Sequence, residues 1–230
     1  MTVKDGRVIL YIADIRPLYR KDLQEKVYRM LDPKRQEKAD LCKDEKGKAA
    51  CLAAGFLASY ALQNNGCGQG RVWYEKGGRP VVEMPKGKPP VFISLSHSGI
   101  YAVCALAHRP VGVDIQQIRP VRAGMLRHFL NPEEREAFRQ TYQDRIGEFL
   151  EKEAQTVFLR QWTAKESYMK LTGTGMSAGF NNLCADLFSG HVWKKGEENE
   201  AAVLKEYPAP EGYFLSACIS PERRDYTDGN

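Results

Sequence analysis

Pro110-Val111-Gly112-Val113-Asp114-Ile115-Gln116 reads as a β-strand with two unlike faces. Residues two apart share a face, so Asp114 and Gln116 point one way while Val113 and Ile115 point into a core. A carboxylate in so apolar a run needs a cation, a metal or several hydrogen bonds, and a salt bridge to an arginine at a sheet end would also serve. Trp162-Thr163-Ala164-Lys165-Glu166-Ser167-Tyr168-Met169-Lys170 reads as a helix, with Trp162, Glu166 and Lys170 four apart on one stripe. Taken alone, Glu166 and Lys170 are an i,i+4 ion pair worth roughly 0.2–0.5 kcal/mol. An acidic strand face beside a Glu/Lys stripe has the chemistry to hold a hard cation and the phosphate it neutralises.

Outward from these stretches the chain alternates strands and helices. Strands are predicted at Val8–Ile12, Arg71–Tyr74, Val91–Leu95 and Tyr101–Leu106, the last two flanking Ser96-His97-Ser98-Gly99. Helices are predicted at Lys21–Leu31, after Asp32-Pro33, and at Ala49–Gln63, where Leu52, Phe56 and Tyr60 recur every fourth residue. Gly77–Pro90 reads as a Gly/Pro/Lys-rich loop. Beyond Gln116, helical segments are predicted at Val121–Phe129, Pro132–Tyr142 (capped by Asn131) and Phe149–Leu171. Strands follow at Leu183–Phe188, His191–Lys194, Ala201–Tyr207 and Tyr213–Ile219. Strand, helices and several strands thus occur twice. That order predicts an α+β protein of two halves, 1–110 and 111–220, with a polar tail at 221–230 and a ligand cleft between the halves.

With 43% hydrophobic and 27% charged residues, the composition excludes a disordered chain. No apolar run approaches the roughly 20 residues of a membrane span, and Met1–Asp14 lacks a signal peptide's apolar core. The six cysteines show neither CxxC nor zinc spacing, so reduced thiols in a cytoplasmic protein are expected. Residues 1–120 hold 20 Lys+Arg against 12 Asp+Glu, whereas residues 121–230 hold 14 against 17. The basic half suits an anionic partner. A nucleic-acid-binding module lacks the zinc-finger spacing and RNP-like aromatics that would support it.

His97 lies between apolar strands, where it is either a satisfied turn residue or a grip for an anion. A Ser–His–Asp nucleophile is not supported: no GxSxG elbow is present, and Ser96 and His97 point apart on extended backbone. Gly173-Thr174-Gly175-Met176-Ser177 reads as a helix stop plus a tight loop, without P-loop spacing.

Four segments in order give the chain a familiar look: Gly78-Arg79-Pro80; Phe92-Ile93-Ser94-Leu95-Ser96-His97-Ser98; Gly112-Val113-Asp114-Ile115-Gln116; and, after Phe129-Leu130 with Glu133-Glu134, Trp162 through Lys170. In these it resembles the Sfp-type 4'-phosphopantetheinyl transferases. The resemblance implies a pseudo-twofold pair of α+β halves with coenzyme A in the cleft between them. It also implies Mg²⁺-dependent transfer of the phosphopantetheine arm to a serine of an apo acyl or peptidyl carrier protein, releasing adenosine 3',5'-bisphosphate. By motif position it implies Asp114, Gln116 and Glu166 as metal ligands, and Asp114, Glu166 and Lys170 as catalytic residues. Lys165 would help hold the diphosphate, His97 with Ser96 would grip the 3'-phosphate end, and Arg79 would contact the nucleotide. Two departures stand out. Gln116 replaces the pattern's second carboxylate, and Ala50 stands where relatives carry an arginine, so Lys46 or Lys48 is expected to supply that charge, with Arg35 and Lys38 as further candidates near the adenine. The expected partners are coenzyme A and the carrier protein, with no nucleic acid and no membrane, and the enzyme is expected to act as a monomer. The alternative readings are a degenerate coenzyme A- or nucleotide-binding protein without turnover, another Mg²⁺-dependent phosphate-transferring enzyme, and a nucleic-acid-binding module.

Overall fold

The computed structural model describes residues 2–4, 8–75, 77–175 and 179–221. Its first part runs β1 (Thr2–Lys4), β2 (Val8–Asp14), α1 (Lys21–Met30), α2 (Pro33–Asp40), α3 (Glu45–Asn64), β3 (Arg71–Tyr74), β4 (Pro80–Glu83), β5 (Phe92–Ser98) and β6 (Tyr101–Ala107). Four of these strands form an antiparallel sheet in the order β1-β2-β6-β5. α3 starts four residues earlier than expected, because the Asp44 side chain accepts from Gly47 N and caps it. Every residue from Ala49 to Gly55 is buried, so the helix is enclosed around most of its circumference and not only along Leu52, Phe56 and Tyr60; Tyr60 stays 44% exposed.

The second part runs β7 (Val111–Gln117), α4 (Leu126–Phe129), α5 (Pro132–Tyr142), α6 (Lys152–Thr172), β8 (Leu183–Asp186), β9 (His191–Lys194), β10 (Ala202–Glu206) and β11 (Tyr213–Ile219). Its sheet has the order β7-β11-β10-β9-β8, antiparallel throughout, with α6 lying on β7 and β11. The architecture is mixed α+β, with two sheets that each carry a long helix.

Several local expectations change. The stretch read as a loop, Gly77–Pro90, contributes β4, which pairs with β3 as a separate hairpin. Val81 and Val82 favour the strand, and Pro80 is tolerated as the first residue of an edge strand, where its missing N–H is not needed. Ser96-His97-Ser98 continues β5, and the turn itself is Gly99-Ile100. The helix expected at Val121–Phe129 shrinks to a 3₁₀ turn, Ala123–Met125, and the single turn of α4. Arg122 and Phe149 form a β-bridge instead, which also delays α6 from Phe149 to Lys152. The polar tail beyond Pro221, and Met176 and Ser177 of the loop after α6, lie outside the described residues.

The two sheets share a core. Leu10 and Val103 from the first meet Val113, Ile115 and Leu215 from the second. Edge strands β5 and β7 also run side by side. Val113 N donates to Ser94 Oγ at 3.1 Å and Gln117 N to Ser98 Oγ at 3.0 Å, a constant offset of 19 residues that makes the strands parallel. Serine hydroxyls therefore occupy this seam where backbone carbonyls would otherwise accept. Among the described residues no helix is long and apolar enough to cross a membrane, and all six cysteines are free.

Candidate active site

α6 reaches β7 because Gly112 has no side chain. A Cβ at Gly112 would lie 1.9 Å from Ser167 O and 2.3 Å from Leu171 N. On the same strand face, beyond that crossing, Asp114 and Gln116 open into a cleft of about 840 Å³, within the usual range for small-molecule sites. Trp162, Glu166 and Lys170 line the opposite wall, so the expected stripe of α6 faces the expected carboxylate of β7.

Asp114 is 5% exposed. Its Oδ1 accepts from Lys170 Nζ at 2.6 Å and from Ser96 Oγ at 2.7 Å, and Lys170 Nζ also donates to Ser96 Oγ at 2.6 Å. Its Oδ2 is buried and has no partner among the described residues. Burial, with Asp114 adding to it, raises the Glu166 pKa against the opposing pull of Lys170. Two carboxylates that feel one another, one with an orphaned oxygen, suit a hard divalent cation, with the Gln116 amide carbonyl as the third donor. No three His, Cys, Asp or Glu side chains gather as a metal group among the described residues.

The far end of the cleft is cationic. Arg35, 4% exposed, donates twice to Cys51 O and lies 5.4 Å from the Tyr74 ring centroid. Lys38 approaches the hairpin, where a Cβ on Gly78 would meet its Nζ at 3.0 Å; burial and then Arg35 lower its pKa. His97 stands at the rim, its pKa lowered first by desolvation and then by Lys170, Arg35 and Lys38. Arg79 spans the cleft and donates to Leu171 O at the end of α6, a favourable place for a cation.

Four expected placements are corrected. Lys165 does not reach the cleft. It is fully buried on another face of α6, paired with Glu134 and donating to Phe129 O at 3.1 Å, because one residue turns a helix by about 100° from the Glu166 face. Burial lowers the Lys165 pKa while Glu134 holds it up. Lys48 is paired with Asp40 at 3.1 Å, and Lys46 is exposed in the first turn of α3; neither lines the cleft. The cations found there are Arg35 and Lys38, three apart on α2, a spacing that puts both on one face. Ser96 joins Asp114 and Lys170 rather than His97, since neighbours on a strand point to opposite sides.

A family model described as the 4'-phosphopantetheinyl transferase superfamily matches residues 110–217, the segment that carries Asp114, Gln116, Glu166 and Lys170. Over this segment the chain is similar to that superfamily. Among curated members, 4'-phosphopantetheinyl transferase psf-1 of Bacillus pumilus is 32% identical over 63% of this chain and 58% of that protein. The 4'-phosphopantetheinyl transferase of Bacillus subtilis is 28% identical over 61% and 59%. The human L-aminoadipate-semialdehyde dehydrogenase-phosphopantetheinyl transferase is 30% identical over 62% and 50%. The chain thus spans about half the length of the curated relatives it matches. The solved holo-ACP-synthase of Plasmodium yoelii aligns at 19% identity and a TM-score of 0.33, over 44% of this chain and 92% of that one. The superfamily model leaves residues 1–109 unmatched, and these supply Arg35, Lys38, Arg79, Ser96 and His97 to the site.

Proposed function

We propose that the chain transfers the 4'-phosphopantetheine group of coenzyme A to a serine of an apo acyl or peptidyl carrier protein and releases adenosine 3',5'-bisphosphate. One observation carries this reading: a buried carboxylate–lysine–serine cluster with Glu166 lies at one end of a cleft whose other end is cationic. That layout suits a diphosphate between a reacting centre and a phosphorylated nucleotide. Arg35, Lys38, His97 and Arg79 bind and orient the nucleotide end. Lys170 has its ammonium at the reacting end, free to exchange Asp114 for the equatorial oxygens of the transferred phosphoryl group. Glu166, with a raised pKa, is the acceptor for the incoming serine's proton, which then leaves to solvent. Asp114, Gln116 and Glu166 would hold Mg²⁺, whose role is to neutralise charge on the diphosphate. Both walls of the cleft come from one chain, which supports action as a monomer, in two halves meeting near residue 110. Free thiols throughout support a cytoplasmic setting.

The deciding measurement is mass spectrometry of an apo carrier protein incubated with this chain, coenzyme A and Mg²⁺. A gain of one phosphopantetheine on the carrier is expected. An unchanged carrier with coenzyme A still bound would leave a binding protein in place of the transferase.

A further inference from the structure

The second sheet presents Gly112, Asp114 and Gln116 of β7 to α6, and β11 presents Cys218, Ser216 and Phe214 beside them in antiparallel register. Ser216 and Asp114 are direct partners across this pair. Directly opposed residues share a face with Cβ atoms about 4.5–5.5 Å apart, within reach of a serine hydroxyl and a carboxylate. Ser216 is 1% exposed, and its Oγ has no hydrogen-bond partner among the described residues; Asp114 Oδ2 is in the same condition. Other hydroxyls nearby are used. Ser94 and Ser98 accept from β7, Ser96 donates to Asp114, and Thr163 and Ser167 donate to carbonyls of α6. Two orphaned polar atoms on facing residues of one strand pair are rare in a folded protein.

We propose that Ser216 is a positioning residue for Asp114, whose hydroxyl turns onto Oδ2 and holds the carboxylate in place when Lys170 leaves it for the substrate. The inference rests on the reading of Asp114 as a ligand for a divalent cation beside the diphosphate. Lys170 and Ser96 both hold Oδ1. Once the ammonium turns to phosphoryl oxygens, Asp114 keeps one donor and would be free to swing. A rotation about χ1 of Ser216 supplies a second donor on the other oxygen and leaves lone pairs for a cation. Partners that orient a metal-binding carboxylate in this way govern cation affinity.

The test compares wild type, Ser216→Ala and Asp114→Ala in two measurements without substrate: thermal unfolding of the metal-free chain and titration with Mn²⁺. Removing an unpaired buried hydroxyl is expected to leave the unfolding temperature of Ser216→Ala equal to or above that of wild type. The same variant is expected to bind Mn²⁺ about 10-fold more weakly or worse. A purely structural serine would lower stability and leave affinity alone. Wild-type Mn²⁺ affinity in Ser216→Ala, or a loss of stability alongside weaker binding, overturns the inference. Asp114→Ala separates this from failure of the underlying reading. If Asp114→Ala binds Mn²⁺ as tightly as wild type, or wild type does not bind it, the metal assignment falls and takes the inference with it. If Asp114→Ala loses binding while Ser216→Ala keeps it, the inference alone falls.

Discussion

At the scale of single residues, Asp114 and Lys170 form an ion pair with unequal surroundings. The carboxylate side chain is 7% exposed and the ammonium side chain 29%. Removing the lysine strands a buried anion, whereas removing the aspartate leaves a cation that reaches water. Asp114→Ala should therefore abolish transfer at little cost to folding. Lys170→Ala should lose activity and also about 1–3 kcal/mol of stability, the cost of leaving a buried acceptor short of a donor, read by urea unfolding of both variants. Equal stabilities would show that the pair does not share a desolvated site. His97 gives a pH signature. Its folded pKa lies below its unfolded value, so as pH falls through about 6.5 the unfolded chain takes the proton first. Stability should decline on acidification until the folded pKa is passed, and His97→Gln should flatten that part of the profile in thermal unfolding at stepped pH. Its exposure keeps the effect small.

At the scale of elements, the placement of α6 on β7 decides the site. Gly112→Ala puts a methyl into the backbone of α6 near Ser167 and Leu171. The helix must shift, at roughly 1–3 kcal/mol for an overpacked contact, and Glu166 and Lys170 shift with it. Activity in the carrier assay should fall far more than stability does. A fully active Gly112→Ala would mean that the helix has room that the packing does not show. Lys165 tests the reverse case. Its ammonium ties α6 to Glu134, which also accepts from Asn131 N in the α5 capping box and from Ala185 N on β8. Lys165→Met should destabilise by about 3–5 kcal/mol, because it leaves the mostly buried Glu134, whose side chain is 13% exposed, without its counter-charge. KM for coenzyme A in the folded fraction should not move, and a large rise would return Lys165 to the cleft.

At the scale of the whole molecule, the two sheets are joined by a shared apolar core and by the serine seam between β5 and β7. Val113 N is buried and has Ser94 Oγ as its acceptor there, while Gln117 N bonds Ser98 Oγ at the exposed end. Ser94→Ala should cost about 1–3 kcal/mol, since it orphans a buried donor, and Ser98→Ala appreciably less, with both variants unfolding in a single transition. Two separated transitions in the wild type would mean that the halves fold independently despite the shared core.

Local pattern made much of this protein legible from sequence. Alternation along Val111–Gln116 places Asp114 and Gln116 on one face, and helical spacing places Trp162, Glu166 and Lys170 on another, because both periodicities follow from backbone geometry alone. Asn131 and Asp32 announce their helices through the same local chemistry. What stayed hidden depends on partners distant in sequence. Lys165 and Lys170 are both lysines on one helix, and only the packing of α5 and β8 makes the first a buried strut and the second a cleft donor. Arg35 and Lys38 displace Lys46 and Lys48 as the cleft cations because α2 folds back over the start of the cleft wall, with Arg35 bonded to Cys51 O. Ser216 acquires meaning only from its register opposite Asp114. Backbone periodicity alone sets which faces the reactive residues share. Tertiary structure decided which charges are buried against one another and which are left for a ligand, since desolvation and pairing are properties of the packed neighbourhood and not of the residue.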